Sequence, residues 1–314
     1  MLIIPLVTKI AELFLILFCA AALVRLHVVK SEDSRILSRI SLYFVTPCVV
    51  LNSFRKELTP EILHGFLLAI ALAAVFQALF LLLSLLLKRF WKATEVERAS
   101  TVFTNAGNLI IPLVSYIFGP EWVIYTSAYI LVFNLMFWTL GIRMFDRSSA
   151  GGIRKVLTNP NILAILAGLL LLLSGLQLPG PLAIAVEDVA GMIGPFSMII
   201  TGLVVGGMRF YQLFANRRVF GVLFFRMIVF SGLAVLLAVL LARFTPITAG
   251  LSGGTVLILI PLLSAVAPSA SNINQVAILY NRDAEYASAI NVLTTLSCIA
   301  TIPFWVMVFE SLTA

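Results

Sequence analysis

Long apolar runs separated by short polar stretches organise this chain from one end to the other. Phe66–Leu87 (FLLAIALAAVFQALFLLLSLLL) is the plainest of them. Strands that cross a bilayer alternate apolar and polar with period two. These runs do not alternate, so they predict helices. About 20 mostly apolar residues carry a helix across the hydrocarbon core. Ile4–Val24, Phe66–Leu87, Val123–Met144, Leu163–Leu178 and Phe220–Leu241 meet that need cleanly. Five further runs are apolar but interrupted. Ile36–Leu51 contains Pro47, and Ser100–Phe118 contains Asn105, Asn108 and Pro112. Ile184–Val205 contains Pro195, Thr255–Tyr280 contains Pro261 and Pro268, and Tyr286–Phe309 contains Asn291 and Pro303. The pattern predicts an all-α polytopic membrane protein of ten transmembrane helices.

The interruptions recur in order. The second and seventh spans each carry a central proline, Pro47 and Pro195, and the fourth and ninth are each broken by polar residues and proline. The fifth and tenth open alike, with Tyr125-Thr126-Ser127-Ala128 and Tyr286-Ala287-Ser288-Ala289. An odd number of spans per half turns the halves upside down relative to each other. The expectation is two inverted five-helix repeats, residues 1–150 and 151–314, joined through the loop Asp146–Asn161, with broken crossover helices 4 and 9. Paired broken helices in inverted repeats mark secondary transporters whose site lies near the membrane midplane.

Composition agrees. The 314 residues are 61% hydrophobic and 11% charged, against roughly 25% charged in an ordinary soluble domain. The net charge of +7 points to topology rather than to nucleic acid, because the basic residues cluster in the short loops. With the N-terminus outside, sixteen Lys and Arg fall on the cytoplasmic side, among them Arg25, Lys88, Arg143, Arg218 and Arg282, and four (Lys9, Arg55, Lys56, Arg243) fall outside. By the positive-inside rule both termini face outward. Residues 1–24 lack a basic stretch ahead of the apolar run, so the first span reads as a retained helix rather than a leader.

Candidate chemistry sits in the two interruptions. Proline frees carbonyls in a helix, and in lipid such groups are tolerated only against protein or a wet cavity. Asn105, Gly107, Asn108 and Pro112 in the fourth span offer carboxamides on a backbone that glycine allows to unwind. Pro268, Ser269, Ser271, Asn272, Asn274 and Gln275 gather in the ninth and read as the start of a half-helix, since Ser and Asn favour helix N-caps. Helix N-termini attract anions and freed carbonyls hold cations. These ten residues are the expected substrate site, for a small organic anion. A sodium site is expected near Asn105, Ser271 and Asn272; no cofactor is expected, and Na+ and H+ are the candidate coupling ions. With no carboxylate or histidine at depth, sodium coupling or uniport fits better than proton symport.

These same segments resemble the auxin efflux carrier family, which includes the plant PIN-FORMED exporters and bacterial relatives. The stretch Asn105-Ala-Gly-Asn-Leu-Ile-Ile-Pro112-Leu113 is similar to that family's Asn-x6-Pro-Leu motif of helix 4. Pro268, Tyr280-Asn281-Arg282-Asp283, Ala287-Ser288 and Pro303 are similar to its helix 9–10 region. The resemblance implies a scaffold of helices 1, 2, 6 and 7 that forms a homodimer, and a transport domain of helices 3–5 and 8–10 that moves as an elevator. It also implies a short bacterial form in the inner membrane, taking carboxylates such as malate or malonate rather than auxin.

Other features fall outside this scheme. Lys9 and Glu12 are expected to pair near the outer end of the first span, and Arg226 is expected to snorkel out of the eighth. Asn134, Asn291 and Gln77 are expected to support the crossover by hydrogen bonds, and Gly202, Gly206 and Gly207 to allow close helix packing. Cys19, Cys48 and Cys298 lie within apolar runs and read as packing residues. The chain has no His-Glu-x-x-His motif, no aspartate deep in a span and no serine with a histidine at depth, which argues against an enzyme. A passive anion channel or pore is the alternative to a carrier; a filter there would need rings of carbonyls or charges from several subunits.

Overall fold

The computed structural model describes residues 3–55, 59–145, 157–208, 216–248, 250–251 and 253–313. Within them the chain is helical, with no strand beyond one isolated bridge. We label the helices α1 (Ile3–Arg25), α2 (Ser31–Ser53), α3 (Pro60–Phe90), α4a (Glu95–Val102), α4b (Ala106–Ile117), α5 (Pro120–Phe145) and α6 (Pro160–Ser174). After these come α7 (Gly180–Gly207), α8 (Arg218–Phe244), α9a (Val256–Val266), α9b (Asn272–Leu279) and α10 (Ala284–Thr313). Seven of them, α1, α2, α3, α5, α7, α8 and α10, are long and apolar enough to cross a membrane; α4b, α6 and α9a are shorter apolar helices. Most of the loop expected to join the halves, residues 146–156, lies outside the described residues, as do Lys56, Arg147, Arg154, Lys155 and Arg209.

Local signals explain the helix starts. Thr59 accepts from the Ile62 amide at 3.2 Å ahead of Pro60, and Asn159 accepts from the Asn161 amide at 2.9 Å ahead of Pro160. Proline suits the first helical position because its missing N–H would be unpaired there anyway. Pro261 and Pro303 stand inside regular helix, whereas three other prolines follow a loosened or broken turn. Five π-helical residues, Ser41–Val45, precede Pro47, and another five, Ala106–Ile110, precede Pro112. In α7 the regular helix breaks at Met192, three residues before Pro195.

Two packing groups emerge. α1 lies along the second half of α7, and α2 packs on α6 and α7. α3 packs on α5 and α9a, and α8 and α10 pack on each other and on α9a. The groups meet where α4b touches α1 and α7, where α10 touches α1, and where α5 touches α2 and α6. The α1–α7 contact is the closest approach of backbones. A Cβ added to Gly202 would lie 2.3 Å from the Leu17 carbonyl oxygen, and one on Gly206 would lie 2.6 Å from that of Ala21. These glycines therefore serve close packing, as small residues do between helices in lipid. Gly207 does the same against Ser31, whose Oγ would be 2.3 Å away.

This contact predicts a sharp contrast between two glycines of α7. Gly202→Ala should lower the melting temperature of the purified protein, at an overpacking cost of about 1–3 kcal/mol. Gly191→Ala, whose Cβ meets nothing within 4 Å, should leave it unchanged or slightly raised. Differential scanning fluorimetry in detergent measures both.

Candidate functional site

Each broken helix stops for an identifiable reason. α9a ends at Val266 and Ala267 turns extended (φ −60°, ψ 159°), as the residue before a proline is pushed to do. α4a ends at Val102 and Phe103 turns extended (φ −95°, ψ 132°) without a proline beside it. The two extended stretches lie antiparallel, with Thr104 opposite Ser269. The Asn105 amide donates to the Pro268 carbonyl at 2.8 Å, and the Ala270 amide donates to the Phe103 carbonyl at 3.0 Å. Backbone groups released from two helices thus satisfy each other where water is excluded.

This pairing brings Asn105, Pro268 and Ser269 together directly. Asn105 stands at the N-cap position of α4b and Ser271 at that of α9b, neither with a side-chain capping bond, so both half-helices begin beside the paired stretch. Pro268, Ser269 and Pro112 are buried; Asn105, Gly107, Asn108, Ser271, Asn272 and Asn274 are half-buried; Gln275 is exposed. Pro112 sits under α7, where a Cβ on Gly194 would approach it to 3.3 Å. A Cβ on Gly107 would meet nothing within 4 Å, so space does not require glycine there. The Ser269 hydroxyl and the Asn274 carbonyl oxygen are buried without a hydrogen-bond partner. Such groups are uncommon and invite a functional explanation.

Arg226 corrects a sequence expectation. It does not snorkel: it is 0% exposed and is the largest fully buried side chain. Its Nη1 donates to the Thr101 carbonyl at 3.1 Å, in the last turn of α4a. Its Nε and Nη2 donate to the Ala267 carbonyl at 3.1 and 2.6 Å, and Nη2 also donates to the Ala265 carbonyl, at the end of α9a. The guanidinium lies 5.1 Å from the centre of the Phe80 ring. Helix C-termini leave carbonyls unsatisfied and carry partial negative charge; one cation serves both ends. Arg226 itself stands in a π-helical stretch of α8, Phe225–Phe230, and its own carbonyl accepts from Ser231 Oγ at 3.0 Å. Such bulges recur at functional sites.

A polar layer backs the crossover. Asn291 donates to the Ser269 carbonyl at 2.6 Å, and the Ser269 amide donates to Thr294 Oγ1 at 3.2 Å, both on α10. Gln77 donates to the Tyr129 hydroxyl at 3.1 Å, which also meets Thr104 Oγ1 at 3.5 Å. Asn291 and Gln77 thus support the crossover as expected. Asn134 does not: it donates to the Ile130 carbonyl and accepts from Asn159 at 3.3 Å, tying α5 to the start of α6. In the N-terminal half of α1 Lys9 pairs with Glu12 at 2.7 Å and also lies 4.5 Å over the Tyr116 ring of α4b.

Glu97 escaped sequence reading. It closes the capping box that starts α4a, taking the Thr94 amide at 2.7 Å. Its carboxylate is also gripped by Arg218 through Nε at 2.7 Å and Nη2 at 2.9 Å, and by the Tyr286 hydroxyl at 3.0 Å. The Thr94-x-x-Glu97 spacing could have signalled the cap; nothing local signalled Arg218. Burial pushes the carboxyl upward, yet the Arg218, Thr94 and Tyr286 hydrogen bonds outweigh it and hold Glu97 below its usual value. A cavity of ≈ 220 Å³ opens here, lined by Glu97, Arg218, Arg282 and Tyr286 among others. A second, of ≈ 240 Å³, lies at the other end of α3 against Glu61, Trp122 and Leu257. Neither is lined by any of the ten expected substrate residues.

The apolar helices and the paired breaks define a multi-pass membrane protein organised around two discontinuous helices. Residues 5–153 match a family described as membrane transport protein, a stretch that takes in nearly all of α1 to α5. Over that stretch, a little under half of its length, the chain is similar to the membrane transporters of the auxin efflux carrier family, which supports the resemblance carried by the motif of its first crossover segment. No curated protein matches it.

The Glu97 link makes a pH-dependent prediction. A carboxylate held below its unfolded value contributes stability that is present at neutral pH and lost as pH falls through the folded value. The melting temperature of the wild type should exceed that of Glu97→Gln at pH 7, and the gap should narrow below about pH 4. Arg218→Ala should be the more harmful change at pH 7, because it leaves a buried carboxylate without its main partner.

Proposed function

We propose that this transporter moves small organic anions by an elevator-type alternating-access mechanism, as a dimer of two inverted five-helix repeats per chain. One observation carries the reading: the backbone pairing of Thr104 with Ser269, which starts two half-helices at one place. Their N-terminal amides concentrate positive partial charge beside Asn105 and Ser271. Arg226 occupies the opposite, C-terminal ends, so the carbonyl charge is neutralised and the amide charge is not. An anion is the substrate that such a site favours.

In this reading a carboxylate is bound by the α4b and α9b amides and by the side chains of Asn105, Asn108, Ser271 and Asn272. The unpartnered Asn274 oxygen, an acceptor, takes a hydroxyl or a bound water. The packing groups supply the moving parts. α1, α2, α6 and α7 form the scaffold and pair two chains in the membrane, while α3–α5 and α8–α10 carry the crossover. The interface that slides is the one where α4b and α10 meet α1 and α7 and where α5 meets α2 and α6, crossed by the Lys9–Tyr116 contact and the Asn159–Asn134 hydrogen bond. Both termini face the outside of a bacterial inner membrane, with lipid around the apolar faces. The backbone crossover is the wrong geometry for a channel filter, which lines an open path with ordered carbonyls.

Testing requires only the purified chain. A panel of mono- and dicarboxylates should include some that raise the melting temperature, since a ligand bound to the folded state stabilises it. Asn105→Ala and Asn272→Ala, both folded, should each weaken that ligand about tenfold to a hundredfold, the worth of one hydrogen bond to a charged group. The same variants should slow its uptake into proteoliposomes. Unchanged affinity and uptake in both would place the site elsewhere, and single-channel currents from the wild type would establish a pore.

A further inference from the structure

Carriers with broken helices hold anions at half-helix N-termini and coupling cations on unwound carbonyls and half-helix C-termini. In this chain the second position is already filled from within. We propose that the Arg226 guanidinium is a tethered stand-in for a coupling cation, and that transport therefore proceeds without sodium. The inference rests on the carrier reading above and goes beyond it by assigning the energetics.

Three observations point the same way. The Thr101, Ala265 and Ala267 carbonyls are those freed where α4a and α9a stop, and all three accept from Arg226. They come from the two repeats and converge only because the extended stretches pair. Arg226 has no ion pair with a carboxylate among the described residues, whereas Lys9, Arg55, Arg218 and Arg282 each have one. A buried guanidinium whose hydrogen bonds go to carbonyls alone, with the Phe80 ring beside it, leaves the crossover with a net positive charge. A sodium ion on the same oxygens would have to displace a side chain that closes them off and would meet that charge at short range.

The expected sodium position beside Asn105, Ser271 and Asn272 does not rescue coupling. Those residues stand at the starts of α4b and α9b, where the helix dipoles present their positive ends and repel a cation. The fixed charge acts on the substrate instead. Because Arg226 travels with α8 and touches α4a and α9a, its charge moves with the substrate and offsets one negative charge on it.

The role is one of positioning, so the test needs a readout that general loss of packing would not give. Wild-type protein should melt at the same temperature in sodium and choline chloride of equal ionic strength, and its uptake of the carboxylate found by the panel should survive replacing sodium by choline. Arg226→Ala should melt lower, and millimolar guanidinium should restore roughly 2–4 °C to it while leaving the wild type unmoved. Should Arg226→Ala fail to fold, Arg226→Lys, which keeps a cation, should fold and remain sodium-independent, whereas Arg226→Met should not match it. Sodium-specific stabilisation or sodium-dependent uptake by the wild type would overturn the proposal. So would an Arg226→Ala protein that guanidinium does not help, or an Arg226→Met protein as stable and active as wild type. If no carboxylate is transported, the carrier reading fails on its own, and the melting comparisons still decide whether the Arg226 pocket is a cation site.

Discussion

Everything at the centre of this protein follows from one constraint: a helix interrupted inside a bilayer must find partners for the backbone groups it releases. Two interruptions solve the problem jointly. The extended stretches at Thr104 and Ser269 exchange two backbone hydrogen bonds, and Arg226 takes the carbonyls that this exchange leaves over. Neither broken helix would be tolerable alone, because each would bury several unsatisfied groups at a cost of about 1–3 kcal/mol apiece. The two halves of the chain are therefore locked together by the same atoms that form the crossover.

The constraint also sorts charge. Four half-helix ends converge on one small region, two negative and two positive. Placing a guanidinium on the carbonyl ends removes the negative pair from play and leaves the amide ends of α4b and α9b facing the polar residues of the crossover. Supporting contacts from α10 and α3 fix that geometry: Asn291 and Thr294 hold Ser269 from one side, and Gln77 with Tyr129 holds Thr104 from the other. Each of the four supporting residues lies in an otherwise apolar helix, where a polar side chain is retained only if it finds a partner.

Much of this was legible in the sequence, for reasons that are local. Each crossing needs its own run of apolar residues, so the helices announce themselves, and polar residues such as Asn105 and Asn272 stand out against that background. What depended on distant partners was not legible. The break in the first half comes at Phe103, before the Asn-Ala-Gly-Asn run, because Phe103 and Thr104 are held extended by Ser269 and Ala270 rather than by their own chemistry. Arg226 looked like a residue that could reach water, since its partners lie 41 and 125 positions away. Asn134 lies on a different side of α5 from the crossover because of helix phase. It sits five positions after Tyr129, about 140° around α5, and so faces Asn159 instead of the crossover.

The position of Arg226 bears on how such a carrier works at all. A site that gathered only amide ends would bind an anion well but would be left with two bare carbonyl ends whenever it emptied. A diffusible cation solves that problem at the expense of coupling every cycle to its own binding and release. A covalently attached cation solves it permanently: under the proposed mechanism the crossover would be equally satisfied loaded or empty, and the moving group would keep one shape in both halves of the cycle. The rigid movement proposed for the site past the α1–α7 wall would require that property, because a crossover that loosened on substrate release would expose its backbone to lipid in mid-passage.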